Sequence, residues 1–165
     1  MSFTQPVGFV GNSGVVKANR DLKVETLEDL NKSSMRIAVL QGQAMEKFFQ
    51  KYTPKAELVV IPGSDLTAPL LSVSSDKADV GFMNSLTVSR YVKEHPELKA
   101  IFSEEKQLAP LPLAWVTRED DFALKNFLNS SIDVIKYTGR LKEIQNEYEY
   151  KLIYDVSSLR GIEGQ

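Results

Sequence analysis

The sequence predicts an α/β lobe with a parallel-rich sheet flanked by helices, followed by helices of an incomplete second lobe. Three observations carry this. Short β-rich runs alternate with stretches of helical period between about residues 20 and 105. The segment Ala109-Pro110-Leu111-Pro112-Leu113-Ala114-Trp115-Val116-Thr117 then breaks the rhythm. The chain beyond Thr117 is purely helical in period, with apolar faces and no strands of its own to cover.

Element by element, Val15-Val16 lies in a first extended stretch after the glycine-containing segment Gly8 to Gly14. Thr26-Leu27-Glu28-Asp29-Leu30 reads as a short helix, with Thr26 as N-cap and acids in its first turn. Met35 to Leu40 is an apolar run of the kind that forms a strand buried on both faces. Met45, Phe48, Phe49 and Tyr52 share one helix face, and Pro54 closes that helix. Leu58 to Ile61 repeats the strand, Pro62-Gly63 the turn, and Leu66, Leu70, Leu71 and Val73 the helix. Ala78 to Phe82 is a further strand, Val88, Tyr91, Val92 and His95 a further helical face stopped by Pro96, and Ala100-Ile101-Phe102 one more short strand. Strands separated by helices of this length predict right-handed crossovers and a parallel sheet. Pro110 and Pro112 suit an edge or crossover strand, because proline cannot donate to a ladder. Leu124, Phe127, Leu128, Ile132 and Ile135 mark a long helix, Gly139 its C-terminal stop, and Leu141, Ile144 and Tyr148 a second helix.

Composition narrows the function classes. The chain has 165 residues, 42% of them apolar, which suffices for one ordinary domain or two small lobes. Its net charge of −2 gives no electrostatic case for nucleic acid. The absence of cysteine removes disulfides, thiolate nucleophiles and Cys-based metal sites, and a lone histidine, His95, removes multi-histidine centres. No cofactor or metal site is therefore expected. No apolar run approaches the roughly 18 residues of a membrane span, and the first residues carry no signal-peptide pattern.

The most informative chemistry is Gln41-Gly42-Gln43-Ala44, between a buried strand and a helix. Ligands of open α/β sheets bind at such strand ends, where free N–H groups and the helix dipole favour a carboxylate. The alternative is a tight turn in which Gly42 only supplies a positive φ. Asn84-Ser85 is the equivalent position one crossover later, able to face a ligand or simply to cap the next helix. Asp79 reads as a backbone anchor. His95 reads as a last-turn histidine gaining from the helix dipole, and it lies about 16 Å along the helix from Asn84. Glu104-Glu105-Lys106 and the Glu147/Glu149 pair read as solvated faces, and the Phe48/Phe49/Tyr52 and Tyr148/Tyr150/Tyr154 aromatics as packing.

The order of these features resembles the type 2 periplasmic solute-binding proteins of ABC transporters, specifically the amino-acid-type solute-binding protein family 3. Phe3-Thr4-Gln5-Pro6 is similar to the family's Phe-Ser/Thr-x-Pro, and Val24 to Leu30 to its Asp-Leu ending before the strand that opens lobe two. Ile37 to Gly42 resembles its strand and Gly-Thr/Ser loop, Lys77-Ala78-Asp79-Val80 its x-Asp-Ala motif, and Leu111 to Thr117 with the helices around Gly139 its return strand and closing region. The resemblance spans about residues 3–152. It implies two periplasmic-binding-protein-like lobes that close on a small ligand, and no catalysis. By position it puts Gly42, Gln43 and Ala44 against a ligand carboxylate, in the loop that Gln41 opens. Asn84, with Ser85 beside it, falls where many amino-acid binders place an Asp for the ligand's ammonium group. The neutral Asn84 departs from that pattern and weakens the grip on a cationic amine.

Carried onto this chain, the resemblance implies a hinge-side segment and first crossover strand over residues 1–19 and a ligand-binding lobe over 20–107. A return hinge strand over 108–117, C-terminal helices of the other lobe over 118–156 and a flexible tail over 157–165 complete the expectation. The molecule is thus expected to be an N-terminally truncated receptor component of an ABC-type uptake system, periplasmic or extracellular. Its expected partners are a small carboxylate ligand, an ABC permease, and a second copy covering the apolar helices around Leu124 and Phe127. The other readings are an oligomerising or sensor-type ligand-binding domain and a cyclohexadienyl-dehydratase-like enzyme. The cleft positions argue against the enzyme, since Gln, Ala, Asn and Ser lack a pKa near neutrality.

Overall fold

The computed structural model describes residues 1–103 and 106–147. The elements in chain order are β1 (Ser2–Phe3), β2 (Gly8–Lys17), α1 (Leu27–Leu30), β3 (Arg36–Leu40), α2 (Ala44–Tyr52), β4 (Glu57–Ile61) and α3 (Ala68–Ser74). They continue as β5 (Val80–Asn84), α4 (Ser85–Glu94), β6 (Leu98–Ile101), β7 (Leu108–Leu113), β8 (Val116–Thr117), α5 (Phe122–Tyr137) and α6 (Arg140–Glu147). Among the described residues the chain divides into two compact units, one of Met1–Val10 with residues 110–147, the other of Gly11–Ala109.

The larger unit is built on a mixed sheet ordered β4-β3-β5-β2-β6, with β7 pairing β2 off this path. β3 runs parallel to β4 and to β5, as the crossover pattern predicts. The sheet is parallel-rich but mixed: β2 lies between β5 and β6 and is antiparallel to both. β2 enters the sheet without a crossover helix before it, so nothing forces it to run with its neighbours. Asn12–Lys17 are paired members of this sheet, within the unit that runs from Gly11 to Ala109.

Alternation along the central strands supplies both faces of the core. Ile37, Val39, Val80 and Phe82 face one way and join Met45 and Phe49 of α2 and Leu30 of α1. Ala38, Leu40 and Met83 face the other way, against Leu70 and Val73 of α3 and Val88 of α4. The Phe49 and Phe82 rings lie 4.6 Å apart, both fully buried, each contributing about 2 kcal/mol or more by leaving water. α1 is fixed by the reciprocal Thr26–Asp29 capping box.

In the smaller unit β1 pairs antiparallel with β8, and α5 packs against α6. The segment before β2 is laced onto α5: the Gln5 N–H donates to Asn129 Oδ1, Gln5 Nε2 to the Asn129 carbonyl and Asp133 Oδ1, and Lys136 Nζ to the Pro6 carbonyl. Gly139 takes φ +77° between α5 and α6, the left-handed stop its sequence position predicts. Only Ile132 of α5 is buried, while Phe122, Phe127, Val134 and Tyr137 are exposed. The expectations for Glu104, Glu105, Tyr148, Glu149, Tyr150, Tyr154 and the tail over 157–165 lie outside the described residues.

Candidate functional site

Both predicted turns sit at the carboxyl ends of neighbouring parallel strands. Ile37 pairs with Val80 and Ala38 with Gly81, so Gln41 beyond β3 and Asn84 at the end of β5 come level, on strands about 4.8 Å apart. The structure thus brings Gln41–Ala44 and Asn84–Ser85 together on one edge of the larger unit.

At the first turn the Gln41 N–H still extends the ladder, donating to the Ile61 carbonyl at 2.9 Å. Gly42 adopts φ +77°, and Gln43 then caps α2 without a side-chain hydrogen bond. The Gln43 N–H closes the turn on the Leu40 carbonyl at 3.2 Å. Glu46 was not anticipated: its Oε2 accepts from the Gly42 N–H at 2.7 Å. The signal was present, since a Glu three residues after the cap commonly reaches back to the loop. The N–H groups of Ala44 and Met45 have no hydrogen-bond acceptor among the described residues, and all four residues of the turn are exposed. Two unpaired N–H groups at the positive end of a helix are what a carboxylate oxygen requires.

At the second turn Asn84 is the N-cap of α4. Its Oδ1 accepts from the Thr87 N–H at 2.9 Å and from the Thr87 hydroxyl at 3.1 Å. The capping alternative therefore holds for that oxygen, while Nδ2 makes no hydrogen bond among the described residues. Ser85 is the first residue of α4, half-buried beside it.

Sequence reasoning missed Asn12. It lies on β2 directly opposite Asn84 and is 6% exposed. Its Nδ2 donates to the carbonyls of Leu108 at 3.3 Å and Ala109 at 3.1 Å. No local pattern marks it, because its place depends on the reversed direction of β2.

The charged cluster lies at the opposite end of the sheet. Asp79, just before β5, accepts from Arg36 and from Arg20 Nη1, and Asp76 pairs with Lys17 and Arg20. Burial raises the Asp79 carboxyl, but the hydrogen bonds from Arg36 and Arg20 outweigh it and hold the pKa below the usual range. His95 caps the far end of α4, stacked on Tyr91 at 4.0 Å with Nδ1 3.0 Å from Glu97 Oε1, away from both turns. Among the described residues no three His, Asp or Glu side chains gather as a metal site requires, and no helix is long and apolar enough to cross a membrane.

No protein-family model matches the sequence, and no curated protein does. Solved structures do match. One is an ancestral amino acid-binding protein, a precursor of cyclohexadienyl dehydratase, at TM-score 0.73 and 23% identity over 91% of this chain and 62% of its own. An ancestral arginine-binding protein bound to glutamine matches at TM-score 0.71 and 21% identity, over 91% and 64%. The holo form of ArgBP from T. maritima matches at TM-score 0.66 and 24% identity, over 82% and 56%. The chain has the fold of these solute-binding proteins. It spans about six-tenths of their length, and the resemblance read from the sequence stands at the level of the fold.

Proposed function

We propose that the chain binds a small carboxylate-bearing solute, with the turn Gln41–Ala44 holding the carboxylate and Asn84 and Ser85 contacting the rest. The observation that carries this is the pair of unpaired N–H groups at Ala44 and Met45, on the strand end beside Asn84. The structural neighbours named for binding amino acids support a binding function over catalysis. The finer reading is a receptor component of an ABC-type uptake system, in a periplasmic or extracellular setting with a permease as partner. NMR titration with succinamate and with succinamide, which lacks the carboxylate, tests the site. Succinamate is expected to shift the Ala44 and Met45 amide resonances, and succinamide to leave them in place. Equal shifts with both, or none with either, refute the reading.

A second reading rests on Phe3, Phe122, Phe127 and Val134, which are all more than half exposed. A second copy covering these side chains gives a homodimer. Native mass spectrometry should then find a dimer that Leu124→Lys/Phe127→Glu dissociates; a wild-type monomer refutes it.

A further inference from the structure

We infer that Asn12 and Asn84 together form a carboxamide subsite; this rests on the proposed carboxylate-binding turn and specifies the other end of its ligand. Directly opposed residues of an antiparallel pair project to the same face of the sheet with Cβ atoms about 5 Å apart. The two side chains leave complementary atoms free. The carbonyls of Leu108 and Ala109 both take the Asn12 amide hydrogens, which fixes the amide's orientation and turns Oδ1 away from them. That oxygen accepts no hydrogen bond among the described residues and keeps some access to solvent, although Asn12 as a whole is more than nine-tenths buried. On Asn84 the assignment is reversed: Thr87 occupies Oδ1, and Nδ2 is the free donor.

One free acceptor beside one free donor matches a group that is itself one donor and one acceptor. A primary carboxamide fits, its NH2 donating to Asn12 Oδ1 and its oxygen accepting from Asn84 Nδ2. An ammonium group has only donors and sets a positive charge against Asn84 Nδ2. A carboxylate has only acceptors and faces Asn12 Oδ1 with a lone pair. Sites built to hydrogen-bond a polar group reject an analogue that leaves a buried partner unpaired. The ligand class is therefore a short molecule with a carboxylate at one end and a carboxamide at the other.

The test uses the full chain and three probes of similar length: succinamate, succinate and 4-aminobutyrate. Affinities come from calorimetry, and contacts from the backbone amides of Ala44 and Met45 and the side-chain amides of Asn12 and Asn84. Succinamate is expected to bind about tenfold tighter than either other probe and to shift both side-chain amides. Asn84→Asp keeps a capping oxygen and replaces the free donor with an acceptor, so it should transfer the preference to 4-aminobutyrate. Backbone shifts that are equal for all three probes, without movement at Asn12 and Asn84, overturn the subsite and leave the carboxylate turn standing. No shift at Ala44 and Met45 with any probe overturns both.

Discussion

The Asp79 carboxylate holds Arg36 at three points: Oδ2 accepts from the backbone N–H at 3.0 Å and from Nε at 3.1 Å, and Oδ1 from Nη2 at 3.0 Å. Arg20 Nη1 adds a fourth bond at 2.7 Å. Arg36 opens β3 and Asp79 immediately precedes β5, so one side chain pins the starts of two adjacent parallel strands.

This arrangement sets an acid limit on stability. A carboxyl whose folded-state pKa is depressed stabilises fully above its unfolded pKa of about 3.9, and that contribution is lost as pH falls through the lower folded value. Asp76, bonded by Lys17, and Asp29, bonded by the Glu25 N–H, shift in the same direction. The urea midpoint should therefore hold between pH 7 and 5 and drop below about pH 4. Asp79→Asn should lower stability at pH 7 by about 2 kcal/mol, with the gap to wild type closing in acid. A gap that stays constant down to about pH 2 would refute the assignment.

Gly81 on β5 sits beneath the backbone of α3. A Cβ there would lie 2.3 Å from the Pro69 carbonyl oxygen and 2.8 Å from its carbon. Both are backbone atoms of a helix seated on the sheet, so relief requires α3 to lift from its buried contacts at Leu70 and Val73. Gly81→Ala is expected to cost about 3 kcal/mol, read as a lowered thermal midpoint.

The sheet's parallel part was legible because β3 and β5 are buried on both faces, so beyond the charged Arg36 and Asp79 at their starts Ile37–Leu40 and Val80–Phe82 read as runs without a polar side chain. The Gln41–Ala44 turn was legible for the same reason, since a strand ended there and a helical period began. The direction of β2 was not, because Gly8–Lys17 carries no crossover helix, and only the long-range register Asn12↔Asn84 decides it. Asn12 was hidden with it. Glu46 is a different case: its position relative to Gln43 was local, and the capping rule could have found it.

That Glu46 bond makes the first turn sensitive to two changes with different causes. Gly42→Ala meets no atom within 4 Å, so its cost is the positive φ alone, about 1 kcal/mol. Glu46→Ala removes an exposed, charge-assisted bond and an acid from the first turn of α2, also about 1 kcal/mol. Salt should weaken only the second, so the Glu46→Ala loss shrinks at about 1 M NaCl and the Gly42→Ala loss does not. Chemical denaturation with urea at both salt levels separates them.

Asn84 carries a stability role that can be separated from any ligand contact. Its Oδ1 satisfies the Thr87 N–H, one of the four donors that every helix start leaves open. Alanine leaves that donor without its cap, so Asn84→Ala should cost about 1 kcal/mol, whereas Asn84→Asp presents an equivalent oxygen and adds a favourable charge at the positive end of α4. The order of urea midpoints in the absence of ligand is therefore Asp at or above Asn, and both above Ala. An Asn84→Asp variant as destabilised as Asn84→Ala would refute the capping role of Oδ1.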